Sequence, residues 1–338
     1  MAYTTINKSS EHFNTKLYTG NGSTGHAITG VGFQPDWVWV KSRSAVRDHT
    51  VWDVIRGVQQ RLIPNSTGAS GGNIGLSSFD TDGFTVGDSG SINANTETQV
   101  AWNWKANGAG VANTDGTISS TVSASATSGF SIVSWNGNSG TIGHGLGVKP
   151  AMIIVKSRQT ANNWVVMHKG LTGGMDTNVL VLNGTGAEGG GGAGMAEPTS
   201  SVFTITGGLA ANDNNIGYVF AEKQGYSKFG SYIGNGNADG SFIYTGFKPA
   251  FVITKAYSGY AGYWTIHDSV RNPSNVSTMN ALWANSTDAG AASYGFDLLS
   301  NGFKIRTTSA TLNQSGAGYI YMAFAEAPLV GTNGVTAK

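Results

Sequence analysis

Apolar positions along this chain gather in short runs, and one run with its flanks occurs three times. It stands as Gly32-Phe33-Gln34-Pro35-Asp36-Trp37-Val38-Trp39-Val40-Lys41 and as Gly147-Val148-Lys149-Pro150-Ala151-Met152-Ile153-Ile154-Val155-Lys156. The third copy is Gly246-Phe247-Lys248-Pro249-Ala250-Phe251-Val252-Ile253-Thr254-Lys255. In each, a glycine and an apolar residue lead into a proline, and a lysine follows six residues later. The residues between are nearly all apolar or β-branched, the pattern of a strand buried on both faces. Proline cannot donate to a sheet ladder and belongs at the entrance of such a strand. Alternation assigns Trp37 and Trp39, Met152 and Ile154, and Phe251 and Ile253 to one face. The other face takes Val38 and Val40, Ile153 and Val155, and Val252 and Thr254. The lysine is expected where the strand leaves the core.

The surroundings repeat as well. Fourteen residues before each proline stand Asn21, Asn136 and Asn235, each followed by glycine. Asn-Gly tolerates positive φ and signals a hairpin, so each unit is expected to open with a strand, at 16–19, 130–135 and 229–233, and to turn back toward its proline. After the lysine come a polar loop and a second aromatic run around Trp52, Trp164 and Trp264. Further strands lead into Asn65-Ser66-Thr67, Asn183-Gly184-Thr185 and Asn285-Ser286-Thr287, and each unit closes with an aromatic strand at 100–104, 216–220 and 319–324. About six or seven short strands in roughly 95 residues is the rhythm of a β-sandwich or jelly roll. The expectation is an all-β chain of three tandem β-sandwich, jelly-roll-like repeats at 1–106, 129–222 and 229–328, with a tail at 329–338. Residues 107–128, rich in Gly, Ser, Thr and Asn, are a flexible linker or, through the β-branched stretch 117–122, an extra edge strand. Gly189-Gly190-Gly191-Gly192 is expected to be an exposed mobile loop.

Composition agrees with that class. Glycine supplies 50 of 338 residues and charged side chains only 12%, which suits many turns and few solvated helix faces. A net charge of +1 with no run of Lys or Arg longer than two removes the electrostatic footprint of a nucleic-acid binder. With no cysteine, a disulfide framework, a thiolate metal site and a cysteine nucleophile are all excluded. Neither a signal peptide nor 18 consecutive apolar residues can be found, so no membrane insertion is expected and synthesis as a soluble cytoplasmic product is.

Candidate chemistry is sparse. Gly20-Asn21-Gly22-Ser23-Thr24-Gly25 has dinucleotide-fingerprint spacing, and Gly68-Ala69-Ser70-Gly71-Gly72 has nucleophile-elbow spacing, but no helical pattern follows either. Asp80-Thr81-Asp82-Gly83, Asn113-Thr114-Asp115-Gly116 and Asn237-Ala238-Asp239-Gly240 carry oxygen ligands without the closing carboxylate a calcium loop needs, and read as turns. The six histidines show no paired ligand spacing; neither a metal site nor a cofactor is expected. The most specific feature is Trp52-Asp53-Val54-Ile55-Arg56 with its counterpart His267-Asp268-Ser269-Val270-Arg271. Trp52, Asp53, Arg56, His267, Asp268 and Arg271 are the candidate ligand-binding residues, because aromatic faces stack on sugars while carboxylate and guanidinium hold hydroxyls. The alternative is an Asp-Arg pair that pins a loop. The second unit has His168-Lys169-Gly170 there, so the feature does not act three times.

Several of these stretches resemble a family of virion structural proteins of tailed phages of marine bacteria, cyanophages among them. They are Ala2-Tyr3-Thr4-Thr5-Ile6-Asn7-Lys8-Ser9, the run from Val31 through Ser44, Asp53-Val54-Ile55-Arg56-Gly57 and Gly225-Tyr226-Ser227-Lys228-Phe229-Gly230-Ser231-Tyr232. The resemblance covers nearly the whole chain and implies a virion location and no enzyme activity. It leads to the expectation of a tail fibre or adsorption protein on the particle surface, assembled in the host cytoplasm. Its partners would be other virion proteins and a glycan or protein receptor on the host. The alternatives are a capsid decoration protein or head fibre and, from another class, a glycan-degrading β-sandwich enzyme. With no heptad pattern after Pro328, assembly is expected through the faces of the β-units, as a homotrimer or, alternatively, as a monomer whose own three units surround a pseudo-threefold axis.

Overall fold

The structure, a computed structural model, describes residues 4–72, 75–191, 194–207, 210–276 and 279–328. The tail at 329–338, Gly192 and the first residues of the opening stretch lie outside the described residues. The chain is all-β, built from several antiparallel sheets. Three of these sheets are large. The first has the spatial order Phe13–Thr19, Thr98–Trp104, Trp37–Ser42, Thr50–Asp53. The second has at its centre Phe130–Asn136, Asn214–Phe220, Met152–Ser157, Val165–His168, and the third opens Ser227–Ile233, Gly318–Ala325, Pro249–Ser258, Thr265–Asp268. In all three, the closing strand of a segment lies between its opening strand and the strand of the Pro-to-Lys run. Registers agree as well: Trp37 faces Trp104, Met152 faces Phe220 and Phe251 faces Phe324.

A small sheet covers one face of each large one. Its strands are His26–Thr29, Gly83–Val86 and Leu76–Asp80 in the first segment, and Gly140–Gly143 and Val202–Ile205 in the second. In the third they are Phe242–Tyr244, Gly302–Ile305 and Phe296–Leu299. Val38 and Val40, Ile153 and Val155, and Val252 point into these three sandwich cores. The opposite faces meet one another. Trp37, Trp39, Met152, Ile154, Phe251 and Ile253 belong to a single core shared by all three large sheets. Trp37 stacks on Tyr218 at 4.4 Å, Phe13 on Phe324 at 5.2 Å, and Trp104 meets Phe251 edge-on at 5.7 Å. The run of unbroken apolar residues thus has its cause: both faces of the strand are covered, by different partners.

Two expectations change. The Asn-Gly pairs are corners rather than hairpin turns: Phe13–Thr19 lies in a large sheet and His26–Thr29 in a small one, so the chain crosses between layers. The corner is held from outside by Asn93, which is buried and donates through Nδ2 to Asn21 Oδ1, Ser23 O and Gly87 O, and Asn313 plays the same part at Asn235. Gly189–Gly190 is exposed, as expected, yet forms a short strand against Asn178–Val181, and Gly191 is buried beneath Met195 and Val179, so residues 189–191 form a sheet edge rather than a loop. Of residues 107–128, Ser120–Ser125 pairs with Phe130–Asn136 and Val111–Asn113 pairs outside it, which extends the second large sheet by two strands.

Trp39 is 1% exposed in the shared core. Trp39→Ala is expected to lower unfolding free energy by about 3–5 kcal/mol, read from the shift in urea midpoint; a loss below about 1 kcal/mol would show that the ring does not fill that core.

Candidate functional site

The six candidate residues follow strand alternation into two different places. Asp53 and Asp268 end the strands Thr50–Asp53 and Thr265–Asp268 and point toward the shared core, while Trp52 and His267, one residue earlier, point into the sandwich cores. All six are at most 6% exposed. His267 lies flat on Phe296 at 4.3 Å, and burial, with Arg271 nearby, pushes its pKa down to about 3.

Asp53 takes four hydrogen bonds. Its Oδ1 accepts from the amides of Ile55 and Arg56 at 3.1 and 2.9 Å, and its Oδ2 from Arg56 Nε at 2.5 Å and Tyr218 Oη at 2.7 Å. Arg56 donates onward to the carbonyls of Gln60 and Val51 and to Tyr218 Oη. Tyr218 comes from the second segment, and burial together with the Asp53 carboxylate holds its hydroxyl well above the usual phenol range, so it stays a donor. The third segment meets the first in the same way. Asp268 Oδ2 accepts from Arg271 Nε at 2.5 Å and from Trp102 Nε1 at 3.0 Å, and the Arg271 guanidinium sits 5.6 Å over the Trp102 ring. With every carboxylate oxygen engaged and almost no exposed surface, the Asp-Arg pair is a clamp between segments rather than an open sugar site.

The missing third clamp has a chemical reason. Trp102 faces Trp39 and Tyr218 faces Ile154; the residue facing Ile253 in the third segment is Met322. A thioether donates no hydrogen bond, and a buried carboxylate there would lose a donor at considerable cost. The second segment instead places His168, which accepts from Gly170 N at 2.9 Å through Nδ1 and donates from Nε2 to Tyr321 O at 3.1 Å. Burial pushes its pKa down to about 3.

Two further sets of contacts close a ring. The three run-ending lysines are buried instead of marking an exit, and each reaches a neighbour's loop: Lys41 Nζ donates to Thr287 O at 3.1 Å, Lys156 to Thr67 O at 3.0 Å and Lys255 to Thr185 O at 3.0 Å. Burial brings all three pKa values down to about 8. Alongside, His49 Nε2 donates to Trp283 O, Trp164 Nε1 to Ile63 O and Trp264 Nε1 to Val181 O, at 2.9, 3.0 and 2.9 Å. The backbone amides of these same residues are held within their own segment by Asn65, Asn183 and Asn285. First reaches third, second reaches first, and third reaches second. Each acceptor lies two residues before or two after that asparagine, a spacing that was present in the sequence without showing which segment it served.

Two predictions follow from the buried groups. In a double-mutant cycle of Asp53→Asn and Tyr218→Phe, the two changes are expected to couple by about 1 kcal/mol or more although they lie in different segments; additivity within about 0.3 kcal/mol would mean the clamp is not formed. His168 and His267 have folded pKa values of about 3 against an ordinary 6.5. The unfolded chain therefore takes up protons that the folded chain refuses as pH falls below about 6.5. Their stabilisation is complete above that pH and declines toward pH 3, by about 1.4 kcal/mol per pH unit for each. Urea melts of wild type and His267→Phe from pH 7 to 4 measure it, the variant showing the shallower decline.

Among the described residues, no group of three or more His, Asp or Glu is placed to hold a metal ion. No curated protein and no solved structure matches the chain. One family model, described as a domain of unknown function (DUF7483), matches residues 8–328. Clamps, small sheets and all of the shared core but Ile6 lie within that match, and the chain belongs to this DUF7483 family.

Proposed function

We propose that this chain is a non-enzymatic surface protein of a phage particle, a tail fibre or adsorption protein that contacts the host envelope. The observation that carries the reading is the closed ring of buried polar contacts between the segments. Asp53, Asp268, Arg56, Arg271, Lys41, Lys156 and Lys255, the groups from which catalysis is ordinarily built, are spent on joining segments. The outer faces of the first and third small sheets stay exposed on the body that these contacts hold together. Such a body suits particle display, and the resemblance to virion proteins of marine phages supports the same reading. A ring of three related segments also fits a threefold position on a shell, which favours a capsid decoration protein or head fibre as the second reading.

The same ring bears on assembly. The three segments of one chain occupy the positions that three subunits of a trimer would, so the proposal is a self-sufficient monomer with a pseudo-threefold axis. Sedimentation of the isolated chain at micromolar concentration should give one species near 35.0 kDa; a species of three times that mass would establish the homotrimer instead. Gold-labelled antibody against the chain should decorate purified particles, at the tail for the first reading and at the head for the second. Absence of label from particles would overturn both. Incubation with host polysaccharide should release no new reducing ends, and their release would establish the enzyme.

A further inference from the structure

The three small sheets pair the same positions but present different outer faces. Ile28, Ile142 and Ile243 face Phe84, Phe203 and Phe303 across the ladder and are buried, which aligns their neighbours. Their neighbours on the other face are Ala27 and Thr29, both exposed, in the first segment, and in the second Thr141, half-buried beside Thr117, and Gly143, buried against Asn113. In the third they are Phe242 and Tyr244, 45% and 56% exposed. Strand geometry sets two such residues about 7 Å apart on one face. The Phe242 ring lies over Gly302, a glycine that the close Ile243 carbonyl already requires, as the Ile28 carbonyl does at Gly83 in the first segment. Large apolar groups held outward at positions where two related sheets carry small residues call for a ligand.

Polar hollows adjoin this strand. Beside Tyr244 is a cavity of about 300 Å³ lined by Glu222, Gln224, Ser227, Lys228 and Thr245. Glu222 is held there by Lys169 and Lys228, each at 2.6 Å. Across the sheet, in line with Phe242, stand Lys304 and then Asp297, which with Arg306 borders a second hollow of about 470 Å³. Acidic and basic groups alternate along this path, giving no field of one sign to draw a polyanion.

We propose that this face of the third small sheet, centred on Phe242 and Tyr244 and running into the Glu222 hollow, binds an uncharged oligosaccharide. Pyranose rings have an apolar face that stacks on an aromatic ring and an edge of hydroxyls, which the carboxylate, amide and ammonium groups of the hollow can hydrogen-bond. Two outward rings on one strand with polar hollows at either side suit a chain of sugars rather than a single one. The site deepens the adsorption reading and rests on it for the source of the glycan.

Affinity electrophoresis of the intact chain through gels containing hydroxyethyl cellulose, soluble starch or glycol chitin tests it. At least one polymer should retard the wild type. The Phe242→Ala/Tyr244→Ala variant should bind that polymer at least tenfold more weakly, Glu222→Gln should bind it more weakly, and Val148→Ala, exposed on another segment, should bind as wild type. An unchanged urea midpoint for the double variant separates lost binding from lost folding. Retardation by none of the polymers, or retardation that survives the double variant, would overturn the site. So would a concentration-dependent dimer abolished by the double variant without retardation, which would make the patch a self-association surface. Because particle labelling tests virion location separately, failure in the gels removes this site and leaves the location reading untouched.

Discussion

Each large sheet is covered twice, and the rest of the molecule depends on that double burial. A sheet in an ordinary sandwich has one wet face and alternating strands; here the second face of every large sheet lies against its two counterparts. The central strands must then be apolar on both sides. Removing either cover would expose indoles and phenyl rings to water at a cost of about 25 cal/mol for each Å². The three segments are for this reason not independent beads, because the face carrying Trp37, Met152 and Phe251 has no other shelter.

A core made only of such faces would tolerate sliding, since apolar contact has no direction. Direction comes from the polar groups at its margins. Lys41, Lys156 and Lys255 have long stems and a head that donates only, matched to loop carbonyls that otherwise would be buried unpaired. The indoles of Trp164 and Trp264 and the imidazole of His49 each offer one donor to the neighbouring segment. The two Asp-Arg clamps add charge-assisted bonds at two of three junctions, and the third does without because Met322 cannot complete one. At that junction the second segment carries His168 in place of the carboxylate.

The outer sheets are free of these constraints, which is why differences accumulate there. The position of Ala27 and Thr141 is taken in the third segment by Phe242, which is exposed and lies outside the sandwich core and the ring.

Much of the fold was legible in the residues. The doubly buried strands, the assignment of Trp37 and Trp39 to one face and Val38 and Val40 to the other, and the recurrence of both after each proline follow from period-two alternation, which acts within a strand. The Asp-Arg pair was visible as a motif, and its failure to recur was visible too. Periodicity states that a face is apolar; what covers it depends on the path of the chain through space. Hence the shared core, the turning of Asn-Gly into a corner between layers, the burial of the run-ending lysines and the sealing of Asp53 by Tyr218, 165 positions away, were decided only by tertiary structure. The physical reason is the same in each case: a local pattern fixes which atoms need a partner, and only packing brings the partner from another segment.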